Sequence, residues 1–157
     1  MKTIYSDQKL PEQHILENSI FLAGPTPRRL DIKSWRPIAI NILEELEFDG
    51  LVLIPEKRDW KTKFEYDDQI YWEWEAMARC SLVAFWIPRS FPDMPALTTN
   101  VEFGFCIGKQ DKRTILYGRP NEVEKCKYLD KLYSLYWDYP IFQSLDCLLK
   151  QAVVVLK

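Results

Sequence analysis

Histidine occurs once in this chain, at His14, and the four cysteines Cys80, Cys106, Cys126 and Cys147 are scattered, with no CxxC pair among them. Those shortages argue against a zinc site built on cysteine and histidine, and against any nucleophile that needs a Ser-His or Cys-His pair. His14 lies in a polar stretch and reads as a solvated side chain. Long apolar runs are missing too: the longest, residues 82–88, falls far short of the ~20 residues that a membrane span needs. No block of like charge stands out either. With 21 basic and 23 acidic residues and a net charge of -2, nothing recommends a nucleic-acid polymer or an anionic membrane as partner. A small nucleoside or nucleotide remains compatible with that balance. The opening MKTIYSDQKLPEQ has no apolar h-region of a secretory signal. The expectation is a cytoplasmic protein with reduced thiols.

What is present is an ordinary globular composition, 47% hydrophobic and 28% charged over 157 residues, enough for one domain with a core. We expect an N-terminal arm over 1–18, whose residues 3–5 could supply an edge strand, and a single domain over 19–157. Residues 19–23 read as a buried strand ended by Gly24-Pro25. A helix begins near Ser34, taken as its N-cap, with Pro37 in the first turn. Its apolar positions Trp35, Ile38, Ala39, Ile42, Leu43 and Leu46 follow the helical period. Further strands are expected at 51–54, 81–87 and 114–117. Further helices are expected at 67–79, 99–109, 123–136 and from 144 onward. The unbroken apolar run at 81–87 is the mark of a strand covered on both faces. Strands alternating with helices predict an α/β fold: a three-layer, flavodoxin-like or Rossmann-like parallel sheet of four to five strands with helices on both faces. In such sheets a ligand sits beyond the carboxyl ends of the strands, where the strand order reverses. That points to the Gly24-Pro25 turn, the loop after Pro55 and the loop from 88 to 100.

Carboxylates are the chemistry-bearing groups near that edge. Glu102 is expected in the first turn of its helix, where the helix dipole and free N–H groups favour the ionised form. An ionised carboxylate at a pocket rim can attack an anomeric carbon, although an acid in a first helical turn is also simply good helix chemistry. Glu73 and Glu75 point to different sides of their helix, so one of them at most looks into a pocket with ease; a solvated face is the plainer alternative. Asp93 is a third carboxylate within reach, or a solvated loop acid.

Six segments then occur in order at fitting spacings: FLAGPTPR (21–28), SWRP (34–37), IPE (54–56), QIYWE (69–73), FWIPR (85–89) and TTNVEFG (98–104). Together, over about residues 19–120, they resemble the nucleoside 2-deoxyribosyltransferase-like proteins. The resemblance implies exchange of the base on a 2-deoxyribonucleoside with retention, through a covalent deoxyribosyl ester on Glu102, the glutamate before Phe103-Gly104. It implies that Gly24 and Pro25 line the sugar and base pocket and that Glu73 manages the proton of the base. It also implies no metal and no organic cofactor, a nucleoside and a free nucleobase as partners, a place in nucleoside salvage, and a homo-oligomer whose neighbouring subunits complete the site. The family's aspartate six residues before the nucleophile is replaced by Ala96, which leaves Asp93 as the substitute. The first-strand tyrosine of some members has no counterpart, Ile20 and Phe21 standing there.

A base leaves C1′ poorly unless protonated, and the sugar gains oxocarbenium character as the bond breaks. One carboxylate to trap the cation and another to handle the proton suit that chemistry. Trp72, Trp86 and Phe103 are candidate walls for a stacked base, and Asn100 stands beside them as a substrate contact. Arg28, Arg29 and Arg89 lie near strand ends, where an arginine can hold a 5′-phosphate. Two competing functions use the same residues: an N-glycoside hydrolase acting on a deoxynucleoside 5′-monophosphate, and a non-catalytic nucleotide-binding module.

Overall fold

A computed structural model describes residues 1–29, 31–59, 65–109 and 113–157 of the chain. Five strands form one sheet: β1 (Lys2–Tyr5), β2 (Leu16–Ala23), β3 (Leu51–Ile54), β4 (Cys80–Trp86) and β5 (Thr114–Gly118). Their order is β1-β3-β2-β4-β5 and every pairing is parallel. Between and after them run α1 (Arg36–Glu45), α2 (Tyr66–Arg79), α3 (Leu97–Lys109), α4 (Lys127–Tyr136) and α5 (Leu145–Leu156). The expected three-layer α/β architecture is what the chain adopts. No helix among the described residues is long and apolar enough to cross a membrane.

The layers follow from the two-residue period of a strand. On β2, Ile20 and Leu22 join the core beneath α1 and α5, while Phe21 and Ala23 join the core beneath α2, α3 and α4. On β4 the same alternation sends Leu82, Ala84 and Trp86 one way and Val83 and Phe85 the other. Both faces are covered, which is why the run carries no polar position from Leu82 onward. The N-terminal arm adds β1 at the sheet edge, beside β3 in the register Thr3–Val52 and Ile4–Leu53, and Ile4 is buried in the core.

Three helix starts differ from the sequence expectation. Trp35 takes the N-cap position of α1. Ser34 still serves that end: its Oγ accepts from the Arg36 N–H at 3.1 Å and donates to Glu56 Oε1 at 2.8 Å. α3 begins two residues early, at Leu97, directly after Ala96 with φ of 58°. α4 begins four residues late, because Lys125 takes φ of 58° and breaks any helix running through it.

The chain runs from β2 outward to β3, then crosses back over β2 to β4. The strand order therefore reverses between β2 and β4, the place where a parallel sheet opens a crevice at its carboxyl edge.

Candidate active site

At that reversal lies a cleft of about 180 Å³. Its floor is the turn after β2. Gly24 there has φ of 153°, and a Cβ on it would stand 2.1 Å from the Trp86 carbonyl oxygen, so only glycine lets the chain after β2 turn this close to β4. Pro25 and Thr26 continue the floor, Pro55 closes the end of β3, and Arg28 stands at the rim. α2 contributes Tyr66, Gln69, Ile70 and Glu73; α3 contributes Thr98, Thr99 and Glu102. Tyr66, Ile70 and Glu73 are spaced i, i+4, i+7, and Thr98 and Glu102 are spaced i, i+4, so each helix turns one stripe to the cleft.

Glu73 and Glu102 meet across this space, close enough for each to act on the other's carboxyl. Gln69 Nε2 donates to Glu73 Oε1 at 2.9 Å. Burial first, then the facing Glu73, push the Glu102 carboxyl up from 4.5 to about 7. Burial also raises Glu73, against the pull of Gln69 and Arg36. This reverses the sequence expectation for Glu102. With α3 starting at Leu97, the residue lies in the second turn, beyond the free N–H groups, and desolvation beside a like charge outweighs the dipole. Two carboxyl groups this close titrate as a coupled pair rather than one by one. Glu75 faces outward, paired with Arg79 at 2.5 Å.

Arg36 completes the site. Its guanidinium is buried and lines the cleft, paired with Glu56 at 2.6 Å and lying 4.8 Å from the Trp35 ring centroid. The sequence reading quoted it within SWRP without assigning it a role. A signal was present: Arg36 falls on the same helical stripe as Ala39 and Leu43, the buried face of α1. Tyr66, Gln69, Thr26, Thr98 and Thr99 were likewise not singled out.

Of the residues that the sequence suggested, Gly24, Pro25, Arg28, Glu73 and Glu102 come together at the cleft. The others lie elsewhere. Trp72 is buried against Phe21, with its Nε1 donating to the Gln8 carbonyl at 2.9 Å. Phe103 is fully buried, edge-on to Phe85 and Tyr117 with centroids at 5.1 and 4.9 Å. It follows Glu102 by about 100° around the helix and so faces the sheet. Trp86 is buried in the core beneath α1 and α5. Arg89 donates to the Lys125 carbonyl at 2.7 Å and to Asn100 Oδ1, so these two bind each other and the backbone away from the cleft. Asp93 is not part of the lining: its carbonyl accepts from the Arg28 N–H at 3.1 Å and its carboxylate stands 4.0 Å from Arg29. Arg29 itself pairs with Asp31. Among the described residues, no group of three or more His, Cys, Asp or Glu side chains is arranged to hold a metal ion.

The cleft thus offers a coupled pair of carboxyl groups, a glycine turn and a rim arginine. No curated protein sequence matches the chain. The sequence model of the family described as "Nucleoside 2-deoxyribosyltransferase like" matches residues 17–120, the stretch that runs from β2 through β5 and carries every residue of the cleft. This chain belongs to the nucleoside 2-deoxyribosyltransferase-like family.

Proposed function

We propose that this chain exchanges the nucleobase of a 2-deoxyribonucleoside, with Glu102 as nucleophile and Glu73 as acid and base. The observation that carries the reading is the meeting of two half-buried carboxyl groups, both raised by desolvation, in the cleft at the Gly24 turn. In the reactive arrangement Glu73 carries the proton and Glu102 is ionised. A Glu102 oxygen attacks C1′, and the C1′–N bond breaks with its electron pair passing to the base, which takes the proton from Glu73. The sugar is then an ester of Glu102. The incoming base loses its proton to Glu73 and attacks C1′, which frees the Glu102 carboxylate. Two inversions give net retention. All of these steps use groups of the chain and the two substrates, and no metal or organic cofactor enters them.

Hydrolysis of a deoxynucleoside 5′-monophosphate is the second reading. Arg28 favours it, because this exposed guanidinium stands at the cleft rim while Arg29 and Arg89 are engaged elsewhere. Water would then resolve the same ester. Incubation of the protein with deoxyadenosine or thymidine and a second free base, followed by separation of products, tests both. Exchange requires the acceptor, whereas hydrolysis proceeds without it and prefers the monophosphate. A 2-fluoro-substituted deoxynucleoside is expected to add one sugar mass to the peptide containing Glu102. The sugar found on another residue, or full activity of Glu102→Gln, would refute the nucleophile assignment.

The proposal extends to assembly as a homo-oligomer. Tyr66, Ile70 and Trp74 of α2 face Leu97, Val101 and Phe105 of α3 across an apolar groove of about 500 Å³ that also reaches Glu73 and Glu102. All but Ile70 of these six are more than half exposed, and so is Tyr71 beside them. Full-sized aromatic side chains bury roughly 150–250 Å² each, so such a face approaches the ~800 Å² that each partner contributes to a standard interface. A second copy seated there would close the open side of the cleft and keep water from the ester. A cytoplasmic place in nucleoside salvage fits this reading.

A further inference from the structure

Arg36 is 1% exposed, the most deeply buried charged side chain among the described residues. A guanidinium in such a place is costly unless its charge and donors are answered. Four of its five N–H groups are: Nε donates to the Leu22 carbonyl at 3.1 Å, Nη1 to Thr26 Oγ1 at 3.1 Å and to Glu56 Oε1 at 2.6 Å, and Nη2 to the Gly24 carbonyl at 2.7 Å. Glu56 is held in turn by Ser34. Docking α1 on the sheet does not demand this network, since an apolar side chain of similar volume on the same stripe would bury without one. What the network achieves is placement. The guanidinium is fixed to both ends of the β2 turn and stands on the wall that Glu73 and Glu102 also line.

We propose that Arg36 is the positioning residue of the carboxylate pair: clamped by Glu56 and the β2 turn, it supplies the fixed positive charge against which Glu73 and Glu102 divide one proton. The charged and titratable groups around the pair are few. Arg36 comes from α1, Arg28 from the rim after β2, Tyr66 from the start of α2, and Glu56 stands at the end of β3 on the other side of the guanidinium. Arg36 pulls both carboxyls down, and the Glu56 anion paired with it at 2.6 Å offsets part of that charge. Two carboxyl groups in contact hold their protons more tightly where no cation stands nearby, and the carboxylate that attacks C1′ is then scarcer at neutral pH. With an unopposed cation both would ionise more readily, and the base would receive no proton. An arginine whose charge is partly offset by Glu56 sets the state between these two. The chemical purpose of this device rests on the base-exchange reading, but its test does not.

The test is a carboxyl-carbon NMR titration of the full chain labelled at glutamate, from about pH 4 to about pH 9. The two signals are assigned by their loss in Glu73→Gln and Glu102→Gln. Arg36→Gln is expected to move the midpoints of the pair upward by about one pH unit or more, as removal of a nearby opposite charge does. Arg36→Lys is expected to bring them back toward the wild-type values. Glu56→Gln is expected to move them downward, because Arg36 then acts unopposed. Opposite displacements from the two halves of one ion pair are the signature of charge, since a loosened fold would return both variants toward ordinary carboxyl values. Unmoved midpoints in a folded Arg36→Gln protein would overturn the proposal. If that variant does not fold, Glu56→Gln decides together with its melting curve: a fall in the midpoints of a protein that melts with the wild type supports the proposal, and midpoints that stay or rise, or that fall only as the protein loosens, overturn it. Wild-type protein that turns over no deoxynucleoside would strike the base-exchange reading and leave the titration result standing.

Discussion

Glutamine at position 102 keeps the size and polarity of the glutamate side chain and removes its charge, so Glu102→Gln separates what the carboxylate does in the reaction from what it costs the fold. Burial beside Glu73 raises this carboxyl from 4.5 to about 7. A group whose folded pKa lies above its unfolded value holds its proton more tightly when folded, so the protein loses stability as pH rises from the lower value to the higher. Below about 4.5 the group is protonated in both states and costs nothing. Above about 7 it is ionised in both, and the whole penalty is present. At ~1.4 kcal/mol for each pH unit, that interval amounts to about 3 kcal/mol.

The Gln variant escapes the penalty, and its amide can still donate to Glu73. Its stability is therefore expected to equal that of the wild type at pH 4 and to exceed it by about 3 kcal/mol at pH 8, roughly 6–12 °C in melting temperature for a domain of this size. Thermal and urea melts of both proteins across that range measure the difference. A gap that does not grow between pH 4 and pH 8 would refute the reasoning. So would a variant less stable than the wild type at pH 8, because Glu102 would then be ionised without penalty.

Two further outcomes follow from the helices beside the cleft. Glu73→Gln is expected to lower kcat by about 10²–10⁴-fold, the usual range for a lost acid-base group. Glu75→Gln removes only an exposed i, i+4 pair with Arg79, worth at most ~0.5 kcal/mol, and a larger kinetic loss there than at Glu73 would reverse the assignment. Trp74→Glu sets a charge in the apolar face between α2 and α3. Sedimentation velocity is expected to show smaller particles than the wild type, and an unchanged distribution would show that copies do not meet on this face.

The sheet was legible in the sequence because each strand carries its own pattern. The runs at β3, β4 and β5 are apolar on both faces, and each is followed by a helix whose stripe turns back onto them. Helix starts were less legible where a single backbone angle decides them. Thr99 resembles a cap and Leu97 does not, yet Ala96 takes a positive φ that permits the helix to begin directly after it. That early start is what carries Glu102 out of the first turn. Beyond that turn the N-terminal dipole no longer holds the carboxyl down, and burial beside Glu73 raises it instead.

The site was legible to the extent that its residues lie on stripes. Glu73 and Glu102 fall on the rows of α2 and α3 that turn to the cleft, and Gly24 marks a turn that tolerates no side chain. The aromatic residues proposed as base walls were chosen for their ring chemistry, but the helical period already argued otherwise. Trp72 shares its row with Ala76, and Phe103 shares its row with Cys106 and Ile107, all of them buried. In each case the core claims the ring. Arg36 teaches the converse. An arginine on the buried row of α1 has to find an anion, and the period announces that need even though it cannot name the partner. The partner, Glu56, lies 20 residues on, and it reaches Arg36 only because β3 pairs with β2 in the register Ile20–Val52. A charge on the buried row of a helix thus announces that a counter-charge must come from elsewhere, and the sheet that forms around it fixes which one.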